Sequence, residues 1–143
     1  MKKRNNKGFT LVELMVVLVI IGILATLAIP RFLGSANKAK ATECKPVLKE
    51  IFTLQTAYQM ETGAYGSAAT AVGFQNPAGT SRFAYDVIDG TNSIVGQADL
   101  QEALSPAAVG DEACITTAAA IVAENANIGG LLSAGIDANC AGL

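Results

Sequence analysis

The sequence predicts an α+β chain. A long N-terminal α-helix, apolar in its first half, is expected to pack through its second half on a small antiparallel β-sheet. Three observations predict it. Residues Leu14 to Pro30 (LMVVLVIIGILATLAIP) form an uncharged run of seventeen. Beyond Pro30, apolar residues recur at helical spacing as far as Tyr58. Beyond Gly63, short segments rich in aromatic and β-branched residues alternate with turn signals. The 143 residues have room for one core and no second large one.

Composition narrows the function classes. Half the residues (51%) are hydrophobic and 15% are charged, which excludes a disordered acidic tail. Histidine is absent, and with it Ser-His-Asp and Cys-His machinery and the commonest zinc ligand. Four of the ten basic residues (Lys2, Lys3, Arg4, Lys7) lie in the first seven positions. From Phe83 to Leu143 there are eight acids and no Lys or Arg, so phosphate contact has no cations there and nucleic acid is not an expected partner.

Extended back to Phe9, the apolar run has twenty-two residues and one charge, Glu13. About 20 apolar residues span a bilayer core at 1.5 Å each. The basic residues before the run predict a cytoplasmic N-terminus, a span from Leu14 to Ile29 and the remainder outside. A cleaved secretory signal is one reading, with Gly34-Ser35-Ala36 as a loose small-residue site. An uncleaved membrane anchor is another. Glu13 is unusual under both, since a carboxylate in hydrocarbon costs about 2.5–3.5 kcal/mol on insertion scales and is usually paired. No Lys or Arg within the run can pair with it.

A third reading follows from Gly8-Phe9-Thr10-Leu11-Val12-Glu13. These residues follow a short basic leader and open an apolar helix, and GFTLVELMVVLVIIGILATLAIPRF closely resembles the N-terminus of type IV prepilins. The resemblance covers about a sixth of the chain strongly. It implies a type IV pilin-like fold. It also implies cleavage by a prepilin peptidase between Gly8 and Phe9, with N-methylation of Phe9. Removing the leader's four basic groups leaves six against twelve acids, a side-chain balance of −6 instead of −2. The resemblance further implies that Glu13 pairs with the new α-amino group of a neighbouring subunit during filament assembly. The i, i+4 spacing of Phe9 and Glu13 also permits a pair within one chain.

The domains expected are a leader at 1–8, an apolar assembly helix at 9–30, an amphipathic helical half at 31–62 and a β-sheet region at 63–143. The function expected is a structural pilin of a type IV pilus, a filament of the kind used in adhesion or motility. One alternative is a pseudopilin of a type II secretion system or a DNA-uptake pseudopilus. Another is a membrane-anchored periplasmic enzyme or binding domain, for which no convergent polar residues stand out. No catalytic residue and no cofactor is expected. The implied partners are further copies of the chain, the prepilin peptidase, the inner-membrane assembly machinery and, before assembly, the membrane itself. The implied course runs from inner membrane to extracellular filament.

The remaining elements follow in order. Gly22 and Pro30 weaken the apolar helix and predict a bend near Pro30. The resemblance implies partial unwinding between them in the filament. Cys44, Val47, Ile51, Leu54 and Tyr58 form a stripe, widened by Leu48 and Phe52, and Gly63 ends it. One helix is thus expected from Thr10 to Glu61, with a second weak point at Cys44-Lys45 before Pro46. Arg82–Ile88, Ser93–Ala98 and Cys114–Val122 read as strands, for a sheet of three or four. Asp89–Asn92 reads as a turn, Asp99–Leu104 as a short helical turn, and the stretch with Gly129, Gly130, Gly135 and Asn139 as loop.

Cys114 and Cys140 resemble the pilin pair whose disulfide ties down the C-terminal loop. Cys44 is free in that reading, or an alternative partner for either. Three thiols without histidine make a poor zinc set, and the acids show no D-x-D-x-D-G spacing for calcium. Phe9, Phe32, Phe52, Tyr58 and Tyr65 are strung along the helix and its end; core packing is the expected role of Phe52 and Tyr58, over an electron-conducting one.

Overall fold

The computed structural model describes residues 8–78 and 82–140. The basic residues Lys2, Lys3, Arg4 and Lys7, expected to form a leader, lie outside them. The chain divides into two compact units between Ser35 and Ala36.

The first unit is helical. Helix α1 (Leu11–Ala41) begins in it and stays helical through both Gly22 and Pro30. These two positions and Thr26 recur every four residues, on one side of the helix. Pro30 has no N–H for the Thr26 carbonyl, and the Thr26 hydroxyl donates to the Gly22 carbonyl at 2.8 Å. From Gly8 to Ser35 every residue is exposed except the half-buried Ala25. A soluble helix buries one stripe; this one shows apolar side chains on all sides.

The second unit starts with the end of α1, where Ala41 is buried. Helix α2 (Cys44–Thr62) follows after a turn at Thr42 and Glu43. The interruption thus falls two residues before the expected Cys44-Lys45 step. The cause is Pro46, whose ring displaces the carbonyl four residues back, that of Thr42. That carbonyl instead accepts from the Lys45 N–H at 3.2 Å, and Glu43 N–H bonds Lys40 at 3.3 Å, both one residue tighter than α-helical bonds. Helix α2 ends at Gly63, whose φ of 83° is left-handed and whose N–H reaches the Gln59 carbonyl.

The buried seam of α2 is Cys44, Leu48, Ile51 and Gln55. Val47, Leu54 and Tyr58, expected at its centre, are half-buried flanks, as is Phe52. The seam lies on the strand Ile94–Leu100, so close that a Cβ at Gly96 would sit 2.6 Å from Ile51 Cγ2. A one-turn helix α3 (Ala69–Val72) leads towards the sheet.

The sheet has five strands in the order β1-β2-β3-β4-β5, where β1 is Phe83–Val87, β2 Ile94–Leu100, β3 Glu112–Thr116, β4 Ile121–Ala123 and β5 Gly135–Ile136. The first four are antiparallel; β5 adds in parallel to β4. Asp89–Asn92 does connect β1 and β2, and the Asp89 carboxylate accepts from the Thr91 N–H and hydroxyl. Those bonds, the hydroxyl's first, hold the Asp89 carboxyl below its usual range.

Three expectations are corrected. Cys114–Val122 is not one strand but two, β3 and β4, joined by a reversal in which Ala119 takes a φ of 61°. Asp99 and Leu100 belong to β2, not to a helical turn, because Leu100 is buried opposite Phe83. The C-terminal stretch contains helix α4 (Ala126–Leu132), which buries Ile128, Leu131 and Leu132; Asn125 caps it by accepting from the N–H groups of Asn127 and Ile128. Lys45 of α2 reaches the other end of α4 and donates to the Leu132 carbonyl at 2.6 Å.

Charged groups fasten the turn at Thr42-Glu43 to the sheet. Arg82 Nη1 lies 2.7 Å from both carboxylate oxygens of Glu43, and its Nε 3.1 Å from Glu102, which also meets Lys40 at 3.3 Å. The Glu43 carboxylate, first by hydrogen bond and then by charge, raises the Arg82 pKa.

Candidate functional site

The residues singled out by the Gly-Phe junction lie at the start of α1. Gly8 is exposed, and a Cβ there would meet nothing among the described residues within 4 Å. The chain's own packing therefore does not require glycine at this position. Phe9 is 81% exposed. Thr10 precedes the first helical residue, Leu11, and acts as its cap.

Thr10 and Glu13 form a reciprocal pair. The Glu13 N–H donates to Thr10 Oγ1 at 3.2 Å. In return Glu13 Oε2 accepts from the Thr10 N–H at 2.9 Å and from its hydroxyl at 2.7 Å. This is a capping box, which satisfies two of the backbone donors that a helix start leaves open. Its signature, Thr followed three residues later by Glu, stands in the sequence as T-L-V-E. The carboxylate is thus fixed at the positive end of the helix dipole, with both bonds on Oε2. It has one defined position from which to meet a cation.

Leu14 to Ile29 lie within the helical stretch from Leu11 to Thr62, which is long and apolar enough to cross a membrane by length and composition. Gly22 lies within it with nothing against its Cα face. Phe32 is also exposed, at 75%.

The cysteines lie in the second unit. Cys114 and Cys140 are joined in a disulfide with Cα atoms 5.8 Å apart. With Ile94, Ile88 and Val122 they make a small apolar cluster that fastens the chain end over β2, β3 and β4. Cys44 is left free by that disulfide and is fully buried, and burial pushes its thiol up to about 12. Among the described residues no three His, Cys, Asp or Glu side chains are grouped to hold a metal. Removing the disulfide as Cys114→Ser/Cys140→Ser is expected to cost about 3–4 kcal/mol by loop entropy. Thermal unfolding of the double variant checks this, and an unchanged midpoint would refute it.

Residues 3–29 match the family model of the prokaryotic N-terminal methylation motif. The chain carries that motif. It is 42% identical over 83 residues to the type IV major pilin protein PilA of Myxococcus xanthus, covering 58% of this chain and 37% of that protein. It is 42% identical over 67 residues to the type II secretion system core protein G of Pseudomonas aeruginosa, 47% of each chain. It is 39% identical over 69 residues to the type IV wide pilus major component PilA4 of Thermus thermophilus, 48% of this chain and 53% of that one. The chain spans about half the length, or less, of these relatives. Through the methylation motif and the stretch that follows it, the chain is similar to type IV pilins and to a type II secretion system core protein.

Proposed function

We propose that this chain is the structural subunit of a type IV pilus filament, polymerising through its N-terminal apolar helix. The observation that carries the proposal is the unburied helix behind the Gly8-Phe9 junction, apolar on every side and bearing one carboxylate held in place by Thr10. Such a helix is stable in lipid before assembly and among copies of itself afterwards, and the second unit has its own core without it.

In this reading a prepilin peptidase removes residues 1–8 and methylates Phe9. The precursor lies in the inner membrane with its N-terminus in the cytoplasm and Leu14 to Ile29 in the bilayer. The assembly machinery then passes it into an extracellular filament. Glu13 meets the Phe9 ammonium of an adjacent subunit there. The chain has no catalytic role and needs no cofactor. A second reading, a pseudopilin of a type II secretion system, is favoured by the likeness to core protein G. Long fibres sheared from cells and containing this chain select the pilus; its retention in the envelope selects the pseudopilus.

Processing is the direct test. Mass spectrometry of the chain from native cells is expected to find N-methylated Phe9 as the first residue. Because a Cβ at Gly8 meets nothing among the described residues, Gly8→Val is expected to leave the fold unchanged and block cleavage, leaving the longer precursor in the membrane. A mature chain starting at Met1 or near Asn37, or normal cleavage of the Val variant, would reject the reading.

A further inference from the structure

A groove of about 300 Å³ lies between two helices of the second unit. Residues of α2 line one side of it, and residues 70–73, from α3 and its cap, line the other. Its apolar lining is Val72, which is buried, with Leu54 and Tyr58, which are half-buried. It also carries an exposed carboxylate, Glu61, and an exposed hydroxyl, Thr70. Among the described residues neither of these two side chains has a hydrogen-bond or ion-pair partner. An apolar groove with one acid at its edge fits an alkyl chain that ends in a cation, such as a lysine laid along it.

The second unit supplies such a group. Lys40 meets Glu102 and Lys45 holds the end of α4, whereas Lys38 and Lys49 are exposed and have no partner among the described residues. Lys38 lies before the turn at Thr42 and Glu43 that separates α1 from α2. Lys49 stands on α2 itself, twelve residues before Glu61. That is about 18 Å along the helix and about a third of a turn around it, so Lys49 does not reach the groove of its own chain. The two can meet only between copies. Each copy then gives its Lys49 to one neighbour and its groove to another, a head-to-tail contact that does not close on two copies and can continue as a filament. Copies that start from one membrane carry their α2 helices in the same direction, and an offset of about 18 Å brings Lys49 of one level with Glu61 of the next.

We propose that the groove between α2 and α3 receives Lys49 of a second copy of this chain, a lateral contact between the folded units that rests on the filament reading. The lysine stem lies on Leu54 and Val72, and its ammonium meets the Glu61 carboxylate. The contact selects the offset between neighbours, since a slipped copy leaves Lys49 against the apolar lining without its acid.

Carbodiimide coupling of purified filaments joins only amines and carboxylates already in contact. It is expected to link Lys49 to Glu61 and, because the contact runs head to tail, to give a ladder of covalent multimers. Lys49→Glu and Glu61→Lys are each expected to lower filament yield about tenfold, as like charges then meet, and their combination is expected to restore it. Ala71→Phe, at an exposed position in the groove, keeps both charges and fills the space, and is expected to lower the yield to a similar degree. Subunit level and disulfide closure report folding, and Lys49→Gln or Glu61→Gln replaces any variant that fails to accumulate. Wild-type yield in the charge variants or in the Phe variant, links only at other residues, or dimers without longer products overturns the contact. Wild-type cells that assemble no filament overturn the filament reading, and the contact with it.

Discussion

Glu13→Val is expected to abolish filaments while the chain still inserts in the membrane and its second unit stays folded. Insertion becomes easier, because the one charge in the apolar run is gone. Assembly loses its register device. In the packed helices a Phe9 ammonium and a Glu13 carboxylate attract strongly, though desolvation offsets much of the gain, so the pair selects axial position more than it adds stability. A polar group in a coiled-coil core acts in the same way, penalising arrangements that leave it alone. The capping box sharpens the test. Valine removes the charge and both bonds to Thr10, whereas Glu13→Gln removes the charge and keeps an oxygen for Thr10. Losing the cap alone costs about 1 kcal/mol, too little to undo a helix of 31 residues. Both variants should therefore fall to under a tenth of wild-type fibre numbers, a change of about 1.4 kcal/mol or more per contact. Thr10→Val keeps the charge but frees the carboxylate, and should fall in between. Electron microscopy of fibres gives the count. Wild-type numbers in Glu13→Gln would show that the charge is not the register device; loss in the valine variant alone would assign the role to the cap.

The elements legible in the sequence were those whose residues speak through one local signal. The apolar run was visible because no charge interrupts Leu14 to Pro30, and the stop at Gly63 because only glycine takes a φ of 83° without strain. β1, β2 and the turn between them were legible from alternation and from Asp89-Gly90. The hairpin of β3 and β4 was not, since its reversal uses Ala119 at positive φ, where glycine or asparagine would have marked it. Helix α4 was hidden by Gly129 and Gly130 within it; burial of Ile128, Leu131 and Leu132 outweighs their poor helix propensity. At the candidate site the Gly8-Phe9 junction and Glu13 were legible, but the bonds that orient Glu13 needed the T-x-x-E spacing to be read as a cap.

Gln55 is the second residue whose loss should be large, and it is the one polar group on the buried seam of α2. Its Nε2 donates to the carbonyls of Gly66 at 2.8 Å and Ile88 at 2.7 Å, with Val95 at 3.3 Å, and its Oε1 accepts from the Gly66 N–H at 2.8 Å. One side chain thus bonds the loop after α2 and the facing ends of β1 and β2, where the Val95 carbonyl also accepts from the Ile88 N–H at 3.2 Å. Gln55→Met keeps the length and removes every bond. Water cannot replace them, since Gln55 is fully buried. Each buried backbone group left without a partner costs about 1–3 kcal/mol, so the variant should lose about 3–6 kcal/mol. For a unit of this size that is a fall of roughly 15–30 °C in unfolding temperature. Gln55→Glu keeps the acceptor for Gly66 but sets a buried carboxylate against two carbonyls, and should fare no better. Thermal unfolding of the full chain in detergent, with amide exchange at Gly66, reads both effects. A Met variant that unfolds within about 4 °C of wild type, less than 1 kcal/mol, would show that apolar packing and not this set of hydrogen bonds joins helix to sheet.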